Sequence, residues 1–187
     1  MRNLLLIFLV ITFSQCTPLK RMGFEEVSTK NITKENYKNL EGTYSNTPIL
    51  YKTKFSGIPY PYADTLTLFS ILSGEPNSSF KPDNPTDSVA IKLLSKNKIL
   101  ITLINEKEDI VNLTLRGRIK NGHFYSRTKG FVVPFIPILF GYRFERFRIG
   151  LIKNNNLSVD FRLNHWAFAL IAGTSEKGNC SAIYEKE

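Results

Sequence analysis

From residue 88 to the C-terminus, apolar side chains recur at every second position in short runs separated by turn residues. Successive residues of an extended chain point to opposite faces, so this pattern describes strands with one buried face and one wet face. Val89, Ile91 and Leu93 make one apolar row, Ile99, Ile101 and Leu103 a second, and Val111, Leu113 and Leu115 a third. Ser95 to Lys98 and Asn105 to Asp109 turn the chain between them. Asn121-Gly122 is a hairpin signal, because both central positions of a type I′ turn need positive φ. Farther on the phase changes. Phe140, Tyr142 and Phe144 are apolar at even positions, and Phe147, Ile149 and Leu151 at odd ones. Leu157, Val159, Phe161 and Leu163 are followed by Trp166, Phe168 and Leu170 in the opposite parity. An inserted residue restores such a phase, so bulges are expected near Glu145-Arg146 and Asn164-His165.

With an early strand at 40–46, strands are expected at 88–95, 98–105, 110–120, 122–130, 140–152, 156–171 and 180–186. Eight consecutive antiparallel strands with short turns suit an all-β, up-and-down barrel, which leaves no unpaired edge; an open β-sandwich is the alternative. The 187 residues, 42% of them hydrophobic, suffice for one such domain over 40–187 with its own core. Two cysteines are too few for a disulfide scaffold. Thr33 to Leu40 reads as one or two helical turns capped by Thr33. The stretch 47–63, with Pro48, Gly57, Pro59 and Pro61, reads as an irregular connection. Thr65 to Leu72 suits a short helix or a strand, and 73–87, with three prolines, reads as a second long loop. Gly130 to Phe140 is strongly apolar but broken by Pro134 and Pro137, so a loop is expected there rather than a central strand. Its Phe131, Phe135, Ile136 and Phe140 would plug one barrel end, form a lid over a cavity, or dip into a membrane.

The N-terminus reads as an address. Arg2 precedes an apolar run from Leu4 to Phe13, then Ser14-Gln15-Cys16. That fits a secretory signal and is short of the roughly 20 apolar residues of a membrane-spanning helix. Phe13-Ser14-Gln15-Cys16 resembles the lipobox of bacterial lipoproteins. The resemblance implies a signal peptide at 1–15, a diacylglycerol thioether on Cys16 and a lipidated tether over 16–39. Attachment would be to a membrane through acyl chains. Cys180 would then lack a disulfide partner, and an inert buried thiol is expected.

Leu40-Glu41-Gly42-Thr43-Tyr44 on the first strand, the meander from 88 and the Lys120-to-Phe124 hairpin resemble lipocalin-like lipoproteins of Bacteroidota-type bacteria. Gly42-Thr43-Tyr44 is similar to the lipocalin Gly-x-Trp signature, with Tyr44 in place of Trp and Lys186 where an Arg would cross that ring. The resemblance implies an eight-stranded barrel enclosing an apolar cavity. Leu93, Leu103, Leu115, Phe124, Tyr142, Phe144 and Phe161 are then the candidates to line it. Asp64-Thr65-Leu66 and Asp87-Ser88-Val89 resemble O-glycosylation tripeptides of exported proteins in the same bacteria. Thr17 after the cysteine and the lack of an acidic cluster there imply the periplasmic side of the outer membrane, with the cell surface as the alternative.

Catalytic chemistry is not indicated. His123 and His165 have no companions at metal-ligand spacing, Gly173 to Gly178 matches neither a nucleophile elbow nor a phosphate loop, and no cofactor or metal is expected. Charge placement stands out instead. Residues 110–153 hold nine basic groups and one acid, Glu145. Arg116, Arg118, Lys120, Arg127, Lys129, Arg143, Arg146 and Arg148 fall mostly opposite the apolar rows, so one outward basic patch is expected. An anionic lipid or glycolipid would suit it, and an exported protein is not expected to meet nucleic acid. The leading expectation is a non-enzymatic carrier of an apolar or amphipathic molecule. The rival is a filled-core protein that docks anionic envelope partners through its basic face.

Overall fold

Short turns leave consecutive strands closest to one another, and that is how they pair. The computed structural model describes residues 29–33, 35–56, 67–73, 87–105, 110–126, 129–135, 139–169 and 172–187. Its strands are β1 (Thr29–Lys30), β2 (Gly42–Ser56), β3 (Ser88–Ser95), β4 (Lys98–Ile104), β5 (Ile110–Lys120), β6 (His123–Ser126), β7 (Lys129–Phe135), β8 (Leu139–Ile152), β9 (Leu157–Ala169) and β10 (Ala172–Lys186). Each pairs antiparallel with the next from β2 to β6; β6 and β7 both pair with β8, and β8 pairs β9, β9 pairs β10 and β10 pairs β2. β6 and β7 act as two parts of one stave. The result is a closed, eight-stranded, up-and-down antiparallel barrel. The Asn121-Gly122 turn takes φ of 49° and 76°, and Asn155 turns the β8–β9 hairpin at 68°.

The inward rows are the apolar ones expected. Val89, Ile91, Ile99, Ile101, Leu103, Leu115, Phe124, Ile149, Val159 and Phe161 are buried in one cluster with Tyr44 and Tyr184. The ambiguous segment before residue 73 is a helix, α1 (Leu68–Ser73), whose Leu68, Phe69, Ile71 and Leu72 join that cluster. The fully buried Asn46 holds it, its Oδ1 accepting the Phe69 N–H at 2.9 Å. At the other end Thr33 Oγ1 accepts the N–H groups of Glu35 and Asn36 in a turn, but the short 3-10 turn Tyr37–Leu40 has Asn36, not Thr33, at its N-cap. Leu40 is buried beneath it.

Several expectations are corrected. Neither bulge appears in the β8–β9 or β9–β10 ladders: β8 and β9 stay in register from Leu139↔Ala169 to Leu151↔Leu157, and β9 and β10 from Ala172↔Ala169 to Tyr184↔Leu157. The phase change is therefore a change in which face is apolar. β2 runs on to Ser56 through the expected irregular stretch, because Pro48 falls at the β2–β10 register shifts, where no ladder N–H is required. Lys129 to Phe135 is a strand rather than a loop. It pairs only with β8 among the described residues, and Pro134 is tolerated at such an edge. Phe131 and Phe135 thus lie on β7, Phe140 lies on β8, and Ile136 lies outside the described residues. β10 begins at Ala172, eight residues earlier than expected. The end of the tether is part of the sheet: Thr29 and Lys30 register with Ile152 and Leu151, and Ile32 bridges Gly122. Residues 1–15, expected to be a signal peptide, Cys16, Asp64-Thr65 and Arg127 lie outside the described residues.

Candidate functional site

The sheet departs from a tight wall on one side. β5 pairs β6 only from Gly117↔Ser126 to Lys120↔His123, and β7 then follows β8 instead of β5. The two strands fork at Gly117. No side chain fits there: a Cβ on Gly117 would stand 2.2 Å from the Tyr125 carbonyl oxygen and 2.4 Å from Phe124 Cζ. Gly117 N–H donates to the Asn97 carbonyl at 2.9 Å, tying the fork to the β3–β4 turn. Ser126 Oγ spans to β8, donating to the Phe147 carbonyl and accepting its N–H.

Around the fork lies a concavity of about 550 Å³, lined by Asn97, Lys98, Arg116, Gly117, Arg118, Tyr125 and Ser126. Three of these are cations and none is an acid. Lys98 and Arg116 face each other across the β4–β5 ladder, and Arg118 faces Tyr125. Like charges set directly opposite are unfavourable, so an anion placed between Lys98 and Arg116 relieves a cost already present in the fold. The lining guanidinium and ammonium groups offer charge-assisted donors, the stronger kind of hydrogen bond. Behind them Arg148 Nε is 2.7 Å from Asp160 Oδ2, and Ser181 Oγ donates to the other oxygen of that carboxylate. Arg148 also reaches the Tyr125 hydroxyl, at 3.5 Å.

The expected basic patch is therefore divided. Arg116, Arg118 and Lys120 are exposed on β5. Arg148 is largely covered and held by Asp160, so it is a structural cation rather than a docking one. Arg143 is on the opposite face, paired with Glu145 at 2.6 Å. That face continues with His165, which registers with both Arg143 and Glu176 and lies 3.4 Å from the Glu176 carboxylate. Sequence reading missed this rim of four polar side chains, because the assumed bulges turned Arg143 and His165 outward and Glu176 was read as part of a turn. Arg146 keeps the outward position expected of it, opposite Arg162. Lys129 stands on β7, register partner of Glu145.

Of the cavity candidates, Leu103, Leu115, Phe124 and Phe161 are buried inward and Leu93 packs partly buried against them. Tyr142 and Phe144 are corrected to the outer face, in a row with Trp166: unbroken register puts them opposite in phase to Phe147 and Ile149. His123 is a packing residue. Its ring covers Gly150, where an added Cβ would meet it at 2.7 Å, and its Nδ1 is 2.8 Å from the Asn121 carbonyl oxygen. Asp87 is buried, and Ser88 Oγ is engaged by the Glu187 carboxylate at 2.7 Å. Cys180 is buried, and that burial, with the Asp160 charge, pushes its thiol up to about 12, which keeps it protonated and unreactive at neutral pH. Among the described residues no group of three His, Cys, Asp or Glu side chains is placed to hold a metal. Comparisons with protein-family models, with characterised proteins and with solved structures found no match to this chain.

Proposed function

We propose that this protein is a lipid-anchored envelope protein with a filled barrel, which docks an anionic group on the basic fork between β5 and β6. The observation that carries the reading is the concavity formed by Lys98, Arg116 and Arg118, which has no acid among its described lining residues. The apolar inward rows and α1 pack into one cluster, which favours docking over carriage of a ligand. The partner class is a phosphorylated or carboxylated headgroup or glycan of the envelope. No step of bond making or breaking is assigned to it.

The test uses a soluble probe, inositol hexakisphosphate, and calorimetry on the full chain. Arg116→Glu with Arg118→Glu should weaken binding at least ~10-fold, since each charge-assisted hydrogen bond is worth about 1.5–3 kcal/mol. Binding should also fall with salt, because these cations are exposed. Lys153→Glu, an exposed change in the β8–β9 turn, should leave it intact. Equal weakening by Lys153→Glu would mean that net charge alone attracts the probe. An apolar molecule recovered from organic extracts of the purified protein would return the carrier reading to first place.

The anchor is tested separately. Cells fed a labelled fatty acid should incorporate label into the wild type and not into Cys16→Ala. Equal labelling of the two would remove the anchor from the proposal. Acyl chains on Cys16 would hold the protein stably, since each buried methylene contributes about 0.8 kcal/mol. With that anchor, Thr17 directly after the cysteine favours residence on the periplasmic side of the outer membrane.

A further inference from the structure

The far halves of β8 and β9 turn the barrel's polarity inside out. Below Glu145 and Leu163 their outward residues are Arg146, Arg148, Asp160 and Arg162, over an apolar interior. Above that level the outward residues are Tyr142, Phe144, Trp166 and Phe168, while Arg143, His165 and, on β10, Glu176 share the inward face with Gly141 and Ala167. The aromatic rings form a continuous plate: Phe144 to Tyr142 at 5.4 Å, Tyr142 to Trp166 at 6.2 Å and Trp166 to Phe168 at 6.3 Å, the last pair stacked at 8°. Phe168 is 39% exposed. A water-facing sheet surface puts its charges outside and its aromatics inside; here the arrangement is reversed over one end only.

Directly beneath the plate runs a basic row. Arg146 is opposite Arg162, Arg162 registers with Asn179, and Asn179 with Lys54; Lys177 lies one row higher beside Asn164. Two guanidinium groups set opposite each other favour an anion between them. From Trp166 to Phe168 the strand rises about 7 Å, within the ~5–10 Å by which an interfacial segment enters a bilayer. Trp and Tyr favour that interface, where a ring can be half in hydrocarbon and half hydrated.

We infer that this outer face of the β8–β9 hairpin seats on an anionic bilayer, with the aromatic plate at headgroup depth and the Arg146–Arg162 row against lipid phosphates. This seat requires neither the acyl chain on Cys16 nor the fork on β5.

Trp166 is the chain's single tryptophan and stands within the plate, so it reports the seat directly. The full chain carrying Cys16→Ala is titrated with phosphatidylglycerol vesicles, with lipids brominated on the acyl chain as quenchers. Trp166 emission should shift to the blue and be quenched by the brominated lipid. Arg146→Gln with Arg162→Gln should lower the apparent partition by roughly 30-fold, the effect of removing two cations near an anionic surface. Phe168→Ser, a change at an exposed ring, should weaken partition while leaving the far-ultraviolet spectrum unchanged. Arg116→Glu with Arg118→Glu should leave the Trp166 response unchanged. The inference is overturned if Trp166 stays as open to acrylamide with vesicles as without them, or if the fork variant abolishes the response. It is overturned equally if the blue shift occurs without lipid and grows with protein concentration, the mark of a second copy covering the plate.

Discussion

Tyr44→Ala should lower the unfolding free energy by about 3–5 kcal/mol, as loss of a buried aromatic does. Tyr44 is fully buried, and its hydroxyl donates to the Leu40 carbonyl at 3.0 Å. Lys186 Nζ stands 5.7 Å from the ring centroid and donates to the Glu41 carbonyl at 2.9 Å. One ring thus joins the entry of β2, the 3-10 turn before it and the end of β10. Gly42 makes room for the lysine, since a Cβ there would lie 2.5 Å from Lys186 Cε. Removing the ring empties the end of the core and leaves the Leu40 carbonyl without its donor. Tyr44→Phe should cost only about 1 kcal/mol, the worth of one hydrogen bond. Urea unfolding followed by circular dichroism measures both. A loss below about 1 kcal/mol for Tyr44→Ala would mean that this end is closed by something other than Tyr44.

Most strands from residue 88 were legible in the sequence, but β7 and the first half of β10 were not. Period two names a strand without reference to its neighbours, and Asn121-Gly122 names a turn by its positive φ. The meeting of Tyr44 and Lys186 was implied by the resemblance of Gly42-Thr43-Tyr44 to the lipocalin signature. Other features depend on pairing and were not legible. A parity change reads the same whether the backbone gains a residue or the buried face changes sides. Only the continuous ladder from Leu139↔Ala169 to Leu151↔Leu157 separates the two. Pro48 and Pro134 read as breakers because the need for a ladder N–H depends on the strand beside them. Arg148 read as a docking charge because Asp160, on the partner strand, becomes its neighbour only once that register is set. The rim of Arg143, Glu145, His165 and Glu176 was lost with the assumed bulges. Position relative to neighbours, rather than residue type, separates the docking cations from the structural ones.

Stability should be flat through neutral pH and fall steeply above about pH 9. Three weak acids are buried in their neutral forms. Burial pushes the Tyr44 hydroxyl up to about 12, burial and the Asp160 charge push the Cys180 thiol up to about 12, and burial raises Tyr184 as well. Each holds its proton more tightly in the folded chain than in the unfolded one. Below their ordinary values both states are protonated and the stabilisation is complete. As pH rises past 9 for the thiol and 10 for Tyr44, the unfolded chain ionises first and gains on the folded one until pH 12. At about 1.4 kcal/mol per unit and proton, the loss is roughly 4 kcal/mol from Cys180 and roughly 3 kcal/mol from Tyr44. A domain of marginal stability, ~5–15 kcal/mol, does not absorb this easily. Urea midpoints measured from pH 7 to 11 should therefore decline with a slope that begins near one proton and steepens once tyrosine ionises in the unfolded chain. In Cys180→Ala the onset should move up to about pH 10, because the tyrosines alone remain. A decline that sets in below pH 8, or an onset unmoved by Cys180→Ala, would show that other groups carry the alkaline transition.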